Sequence, residues 1–303
     1  MRVPVLSALL AVSLLGACAP RVTVPTHTPA LDFGGPVPDV VIFAVSGRCG
    51  TGCVAPRDNW DYLTARGTVD RVADVIAAAG YRVETAGYAS SASEEFASRL
   101  TPLGQRGYVA LLADYGRLQT AWEGQPRPRV VLLGHSQGVA WLHHLARIFP
   151  EQPVALQIDL DGICAAWQSD HGSAIRALKA DPARPSPAEA CNLFRVAGQS
   201  LRGKDLVWPN VARNLEVQSK RLPALVSDSG GFLFNYLFEV TPNRRTDGSQ
   251  AGLERYVSTR EDHGAVSYPN SDALRWVVDR TAHIVQDWQR EDAARPRLNE
   301  ERR

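Results

Sequence analysis

Arg129-Val130-Val131-Leu132-Leu133-Gly134-His135-Ser136-Gln137-Gly138 is the stretch on which the fold turns. Four consecutive large apolar side chains follow Arg129, a run that suits a strand buried on both faces. The run passes without a gap into Gly-x-Ser-x-Gly, and a helical pattern from Gln137 to Phe149 follows. That order puts a serine hydroxyl on a sharp strand-to-helix turn, where flanking glycines keep space that a Cβ would fill. The pentapeptide alone arises by chance in about one chain of this length in ten. The strand before it and the helix after it are what make it specific.

Upstream, Asp39-Val40-Val41-Ile42-Phe43-Ala44-Val45 reads as another buried strand, ended by Ser46-Gly47. Val69, Val72, Ala73 and Ile76 then mark a helix from Thr68 to Ala79, with Gly80 as its stop. Tyr81 to Ala86 reads as the next strand, and Gln105 to Glu123 as a second helix. Downstream of the elbow, Val154 to Leu160 continues the alternation. Strands alternating with helices at this spacing imply right-handed crossovers and a mostly parallel sheet covered on both faces, an α/β fold. After residue 164 the pattern weakens. It holds a short helix near Ser173 to Ala180, strands at Asn214 to Ser219 and Arg255 to Thr259, and a final amphipathic helix from Ser271 to Trp288.

The chain has 303 residues, 45% hydrophobic and 21% charged, with 33 basic against 32 acidic side chains. Disorder needs low hydrophobicity with high net charge, so most of this chain buries a core. A net charge of +1 offers no clustered positive field for nucleic acid. The one long apolar run, residues 4 to 15, is shorter than the roughly 20 residues of a membrane-spanning helix, which excludes a multi-pass membrane protein.

Arg2, the apolar run Pro4 to Leu15, and small Gly16 and Ala17 have the layout of a secretory signal over residues 1–17. The prolines at 20, 25, 29, 36 and 38 describe a semi-extended tether over 18–38, with the folded domain at 39–290 and a charged tail at 291–303. Four cysteines lie beyond Cys18, an even number that suits disulfides in an exported protein. Cys49 and Cys53 are close enough to close locally, leaving Cys164 with Cys191, although four cysteines allow three connectivities. No CxxC or HExxH spacing calls for a metal, and no cofactor is expected.

Two resemblances follow from these residues. Leu15-Gly16-Ala17-Cys18 resembles a bacterial lipobox, which implies cleavage before Cys18, lipid on that cysteine and attachment to the cell envelope. Ala19 resembles the sorting pattern for the outer membrane of a host with two membranes. The region from Asp39 to Leu160 resembles the central part of an α/β-hydrolase, with Ser136 at its nucleophile elbow. That superfamily includes esterases, lipases, thioesterases and peptidases, so the resemblance does not carry a substrate with it.

The family's chain order is serine, acid, histidine. Of seven histidines, His27 lies in the tether, His135 in the elbow, His143 and His144 on the next helix, and His283 in the last one. His171 falls in an irregular segment, whereas His263 occupies a polar loop between the last strand and the last helix, where the family puts its base. Three acids are in play: Asp161, preferred because it precedes Gly162 at the sheet's carboxyl edge, then Asp228 and Asp159. Asp262 is too near His263 in sequence to orient its ring. By the same resemblance the Gln137 N–H supplies one oxyanion donor, and Gly47 or Arg48 the other. Residues 165–212 suggest a small cap in which Trp167 and Trp208 line an acyl pocket, and residues 230–240 read as a buried aromatic hairpin. The expected partner is a small ester or lipid-like molecule. A binding lipoprotein on a hydrolase scaffold, or a thioesterase, peptidase or acyltransferase, stands as the alternative.

Overall fold

A computed structural model describes residues 30–49, 53, 55–179, 181–219 and 240–294. Residues 1–17, Cys18, Asp228 and the aromatic run up to residue 239 lie outside the described residues.

Six parallel strands form the central sheet: β1 (Val40–Val45), β2 (Val83–Tyr88), β3 (Arg129–His135), β4 (Leu156–Leu160), β5 (Asn214–Ser219) and β6 (Leu253–Ser258). Their spatial order is β2-β1-β3-β4-β5-β6. Among the described residues the α-helices are α1 (Tyr62–Ala65), α2 (Thr68–Ala78), α3 (Tyr108–Arg117), α4 (Gln137–Ile148), α5 (Trp167–Ala177) and α6 (Asp272–Ala294). This is the α/β-hydrolase fold.

The continuous apolar strands are explained by what covers them. Along β1, Val41, Phe43 and Val45 enter one core while Val40, Ile42 and Ala44 enter the other. The first core holds Leu111 and Tyr115 of α3 with Trp141 and Leu145 of α4. The second holds Val69, Val72 and Ile76 of α2 with Leu274, Val277 and Ile284 of α6. Side chains alternate across a strand, so only a strand covered on both sides can be apolar throughout.

Several boundaries differ from expectation. The packed chain begins ahead of Asp39: Leu31 is buried in the first core, and the Phe33 ring lies 5.4 Å from that of Trp122. Apolar Leu31, Phe33 and Val37 between the prolines are enough to seat this stretch. Helix α3 starts at Tyr108 rather than Gln105, because Gly104–Arg106 pairs antiparallel with Glu95–Ala97 and the Gln105 side chain accepts the Asp61 N–H at 2.8 Å. Helix α5 starts at Trp167, so His171 rides a helix and not an irregular segment. Helix α6 runs past residue 291 to Ala294, because Asp292 accepts from Arg129 at 2.6 Å and from the Tyr81 hydroxyl at 2.8 Å. Cys49 is bonded to Cys53, and Cys164 to Cys191.

Candidate active site

The connection after β1 carries α2 to one face of the sheet, and the connection after β3 carries α4 to the other. Adjacent strands whose connections diverge leave a crevice at their carboxyl ends, the general ligand position of open α/β sheets. Ser136 stands in that crevice, one residue beyond β3. Its φ of 59° and ψ of −131° put it in a region that costs a non-glycine residue about 1–3 kcal/mol. The conformation is held from both sides. The Ser136 N–H donates to Leu160 O at 3.1 Å, and its carbonyl accepts from Val139 and Ile163, each at 3.2 Å. The motif glycines are a packing requirement: a Cβ on Gly134 would come within 2.9 Å of Val139 N, and one on Gly138 would overlap the Val45 carbonyl.

His263 lies in the turn between β6 and α6. Asp262 accepts the Ala265 N–H at 2.8 Å, and Glu261 accepts the N–H groups of Asp272 and Ala273 at 2.5 and 3.1 Å, which fixes the turn to the start of α6. The imidazole reaches Ser136 Oγ through Nε2 at 2.9 Å and Asp161 Oδ2 through Nδ1 at 2.8 Å. Asp161 can only accept as a carboxylate, so the partners assign the proton to Nδ1 and the lone pair to Nε2, facing the serine hydroxyl. Asp161, with φ of 47°, is itself held by Ser219, whose Oγ donates to Oδ2 at 2.6 Å and whose N–H donates to Oδ1 at 2.9 Å.

Asp159, two residues earlier, is committed elsewhere. Its Oδ2 accepts from His143 at 2.9 Å, Asn214 at 2.6 Å and Asn243 at 2.8 Å, and its Oδ1 from Gln157 at 3.0 Å. Burial pushes this carboxyl up, but His143 and the amide donors outweigh it and hold it below the usual carboxylate range.

His135 sits beside the site without entering it. Its Nε2 lies 2.7 Å from the His263 carbonyl oxygen and its Nδ1 2.5 Å from the Tyr62 hydroxyl. A carbonyl can only accept, so Nε2 bears the hydrogen, Nδ1 accepts from Tyr62, and the Tyr62 oxygen in turn accepts the Gly47 N–H at 2.7 Å. Burial, reinforced by His263, keeps the His135 imidazole neutral, with its pKa well below the ordinary value. This chain removes Gly47 from the oxyanion donors: its N–H is already spent on Tyr62. Gly47 contributes space instead, since a Cβ there would fall 2.8 Å from Ser136 Oγ. Among the described residues nothing accepts the N–H of Arg48 or Gln137.

Among the described residues, Trp167 borders a cavity with Cys164, Gln168, Cys191 and Arg202 whose lining does not include Ser136. Trp167 is buried between Trp141 and His171, with centroids at 4.4 and 4.9 Å, and its indole N–H donates to Pro187 O. Trp208 packs half-buried against Phe194, 6.2 Å away. His144 is buried against Tyr108, and His283 is exposed beside Arg280. Tyr62 and Ser219 carried no sequence signal, because each acts through a partner distant in the chain.

No family model matches this chain, and neither does any curated protein. Among solved structures, one of the metagenome-derived lipolytic enzymes LipS and LipT aligns at 17% identity over 87% of this chain and 99% of its own, with a TM-score of 0.42. The esterase domain of a Rhodothermus marinus protein aligns at 17% identity over 84% and 87%, TM-score 0.37. An S-formylglutathione hydrolase from Agrobacterium tumefaciens aligns at 15% identity over 85% and 88%, TM-score 0.39.

Proposed function

We propose that this protein is a serine hydrolase that cleaves carboxylic esters, exported and held on the cell envelope by lipid on Cys18. The observation that carries the reading is the unbroken line from Asp161 through His263 to Ser136, with separations of 2.8 and 2.9 Å, ending on a serine in strained backbone. In the reaction His263 Nε2 takes the hydroxyl proton as Ser136 Oγ bonds to the ester carbonyl carbon. Negative charge moves to the carbonyl oxygen, where the N–H groups of Gln137 and Arg48 receive it. Collapse of that intermediate expels the alcohol, which takes the proton from imidazolium. Water then repeats the sequence on the acyl-enzyme. Asp161 holds the Nδ1–H tautomer and stabilises the imidazolium.

Export is supported by the two disulfides, which persist in oxidising compartments, and by the lipobox-like Leu15-Gly16-Ala17-Cys18. A fluorophosphonate probe tests the chemistry: it labels Ser136 and blocks turnover of a p-nitrophenyl ester. Absence of both labelling and turnover in the folded protein overturns the reading in favour of a non-catalytic binding lipoprotein. Matched thioester and amide substrates delimit the bond that is cleaved. Cys18→Ser moves the protein out of the membrane fraction, and an unchanged distribution refutes the anchor.

A further inference from the structure

We infer that Asp170, on α5, is a positioning residue that holds the two oxyanion donors in register. Its carboxylate is almost fully buried and meets the side chains of both residues whose N–H groups face the carbonyl oxygen. Gln137 Nε2 donates to Asp170 Oδ2 at 2.9 Å, and the Arg48 Nε lies 3.4 Å from the same oxygen, an ion pair without hydrogen-bond geometry. The inference rests on the hydrolase reading above and adds to it the role of the segment beginning at residue 165.

The Gln137 side chain is fully buried, and all of its hydrogen-bonding capacity is in use. Nε2 donates to Ala165 O at 2.9 Å as well as to Asp170. Oε1 accepts from His171 Nε2 at 3.1 Å and from Ser90 Oγ at 3.4 Å. The acceptors around Nε2 fix the amide's orientation, and the amide in turn fixes His171 as the Nε2–H tautomer. Both groups that grip Gln137 from α5, Asp170 and His171, are neighbours in sequence. The Cys164–Cys191 bond ties the chain just before α5 to the middle of the same segment. A backbone N–H on the first residue of α4 is aimed by the orientation of that residue, and four hydrogen bonds now set it. Among the described residues the ionic partner of the Arg48 side chain is Asp170. One carboxylate therefore spans the loop after β1 and the start of α4, and what looks in sequence like a detached cap is the buttress of the oxyanion site.

The test compares Asp170→Ala and Asp170→Asn with the parent in the full-length protein, using a p-nitrophenyl ester and phenylboronic acid, whose adduct with Ser136 is tetrahedral like the intermediate. Asp170→Ala lowers kcat about 10–100-fold, since misplaced donors cost that order, with KM changed by less than about twofold. The boronate Kd rises by the same factor as kcat falls. Asp170→Asn keeps an acceptor for Gln137 Nε2 but not the charge that holds Arg48, and recovers part of the rate. The proposal is overturned if Asp170→Ala leaves kcat and boronate affinity unchanged, or if its lost rate only follows a lost folded fraction. A parent protein that neither turns over the ester nor binds the boronate instead overturns the hydrolase reading beneath it.

Discussion

The Tyr62 hydroxyl donates to His135 Nδ1 across 2.5 Å, and this one bond couples the loop after β1 to the backbone of His263. On one side Tyr62 accepts the Gly47 N–H; on the other, His135 donates to the His263 carbonyl. Every hydrogen in the chain has one possible direction, so the network sets a protonation state as well as a geometry. A neutral His135 lies 4.7 Å, ring to ring, from the proposed base without placing a second positive charge beside its imidazolium.

Tyr62→Phe strips the buried Gly47 N–H of its acceptor and His135 of its donor. The expected loss is about 2–6 kcal/mol, on the usual cost of one to three for each of the two buried orphaned groups. Urea denaturation measures it, and a midpoint within error of the parent contradicts the relay.

The two neighbouring aspartates separate activity from stability. Asp161→Asn lowers kcat on the order of 10⁴-fold with little change in melting, since the imidazole loses its tautomer. Asp159→Asn costs about 3–5 kcal/mol because it leaves buried His143 without its counter-charge, while activity per folded molecule is retained. Parallel turnover and melting measurements decide the assignment, and the reverse pattern would exchange the two roles.

Acid lability follows from buried imidazoles. Burial depresses His144 and His171 to about 3. Between the unfolded value near 6.5 and this folded value, the unfolded chain binds more protons, so stability falls as the pH falls through that window and is unaffected above it. Each group contributes about 1.4 kcal/mol per pH unit within the window. Neither nitrogen of His144 has a hydrogen-bond partner among the described residues, so His144→Phe should stabilise the protein more at pH 5 than at pH 8. Denaturant midpoints at the two pH values test the difference.

The disulfides divide similarly. Cys164 and Cys191 are 27 residues apart, and on the chain-entropy model opening that loop costs about 3–4 kcal/mol. Cys49 and Cys53 are 4 apart, so their bond restrains the unfolded chain less, but it anchors the residue directly after Arg48. Serine replacement of the first pair is expected to lower the denaturation midpoint more, and replacement of the second pair to lower kcat more. Both quantities are read on the same two variants.

Much of the fold was legible because strand and helix period are local. Val130 to Leu133, the elbow glycines and the stripe through α2 each lie within a dozen residues, and the sheet followed from their alternation. The boundary at Asp39 was missed because prolines signal an extended chain but do not show what it lies against; Leu31 and Phe33 had a core to meet. Trp167 suggested a pocket wall for the same reason, since an aromatic side chain in isolation fits a ligand and a neighbouring tryptophan equally well.

By itself the sequence determined that Ser136 stands on a strained strand-to-helix turn, because short-range sterics leave the flanking positions to glycine. By resemblance it put the expected base at His263, in the loop between the last strand and the last helix. Only the tertiary structure decided that Asp161 and not Asp159 meets that histidine, that the Gly47 N–H is spent on Tyr62, and that Asp170 joins Arg48 to Gln137. Those contacts bridge separations of 102 residues for Asp161–His263, 33 for Gln137–Asp170 and 15 for Gly47–Tyr62. A hydrogen bond is decided within tenths of an ångström, and periodicity places a side chain only on a face.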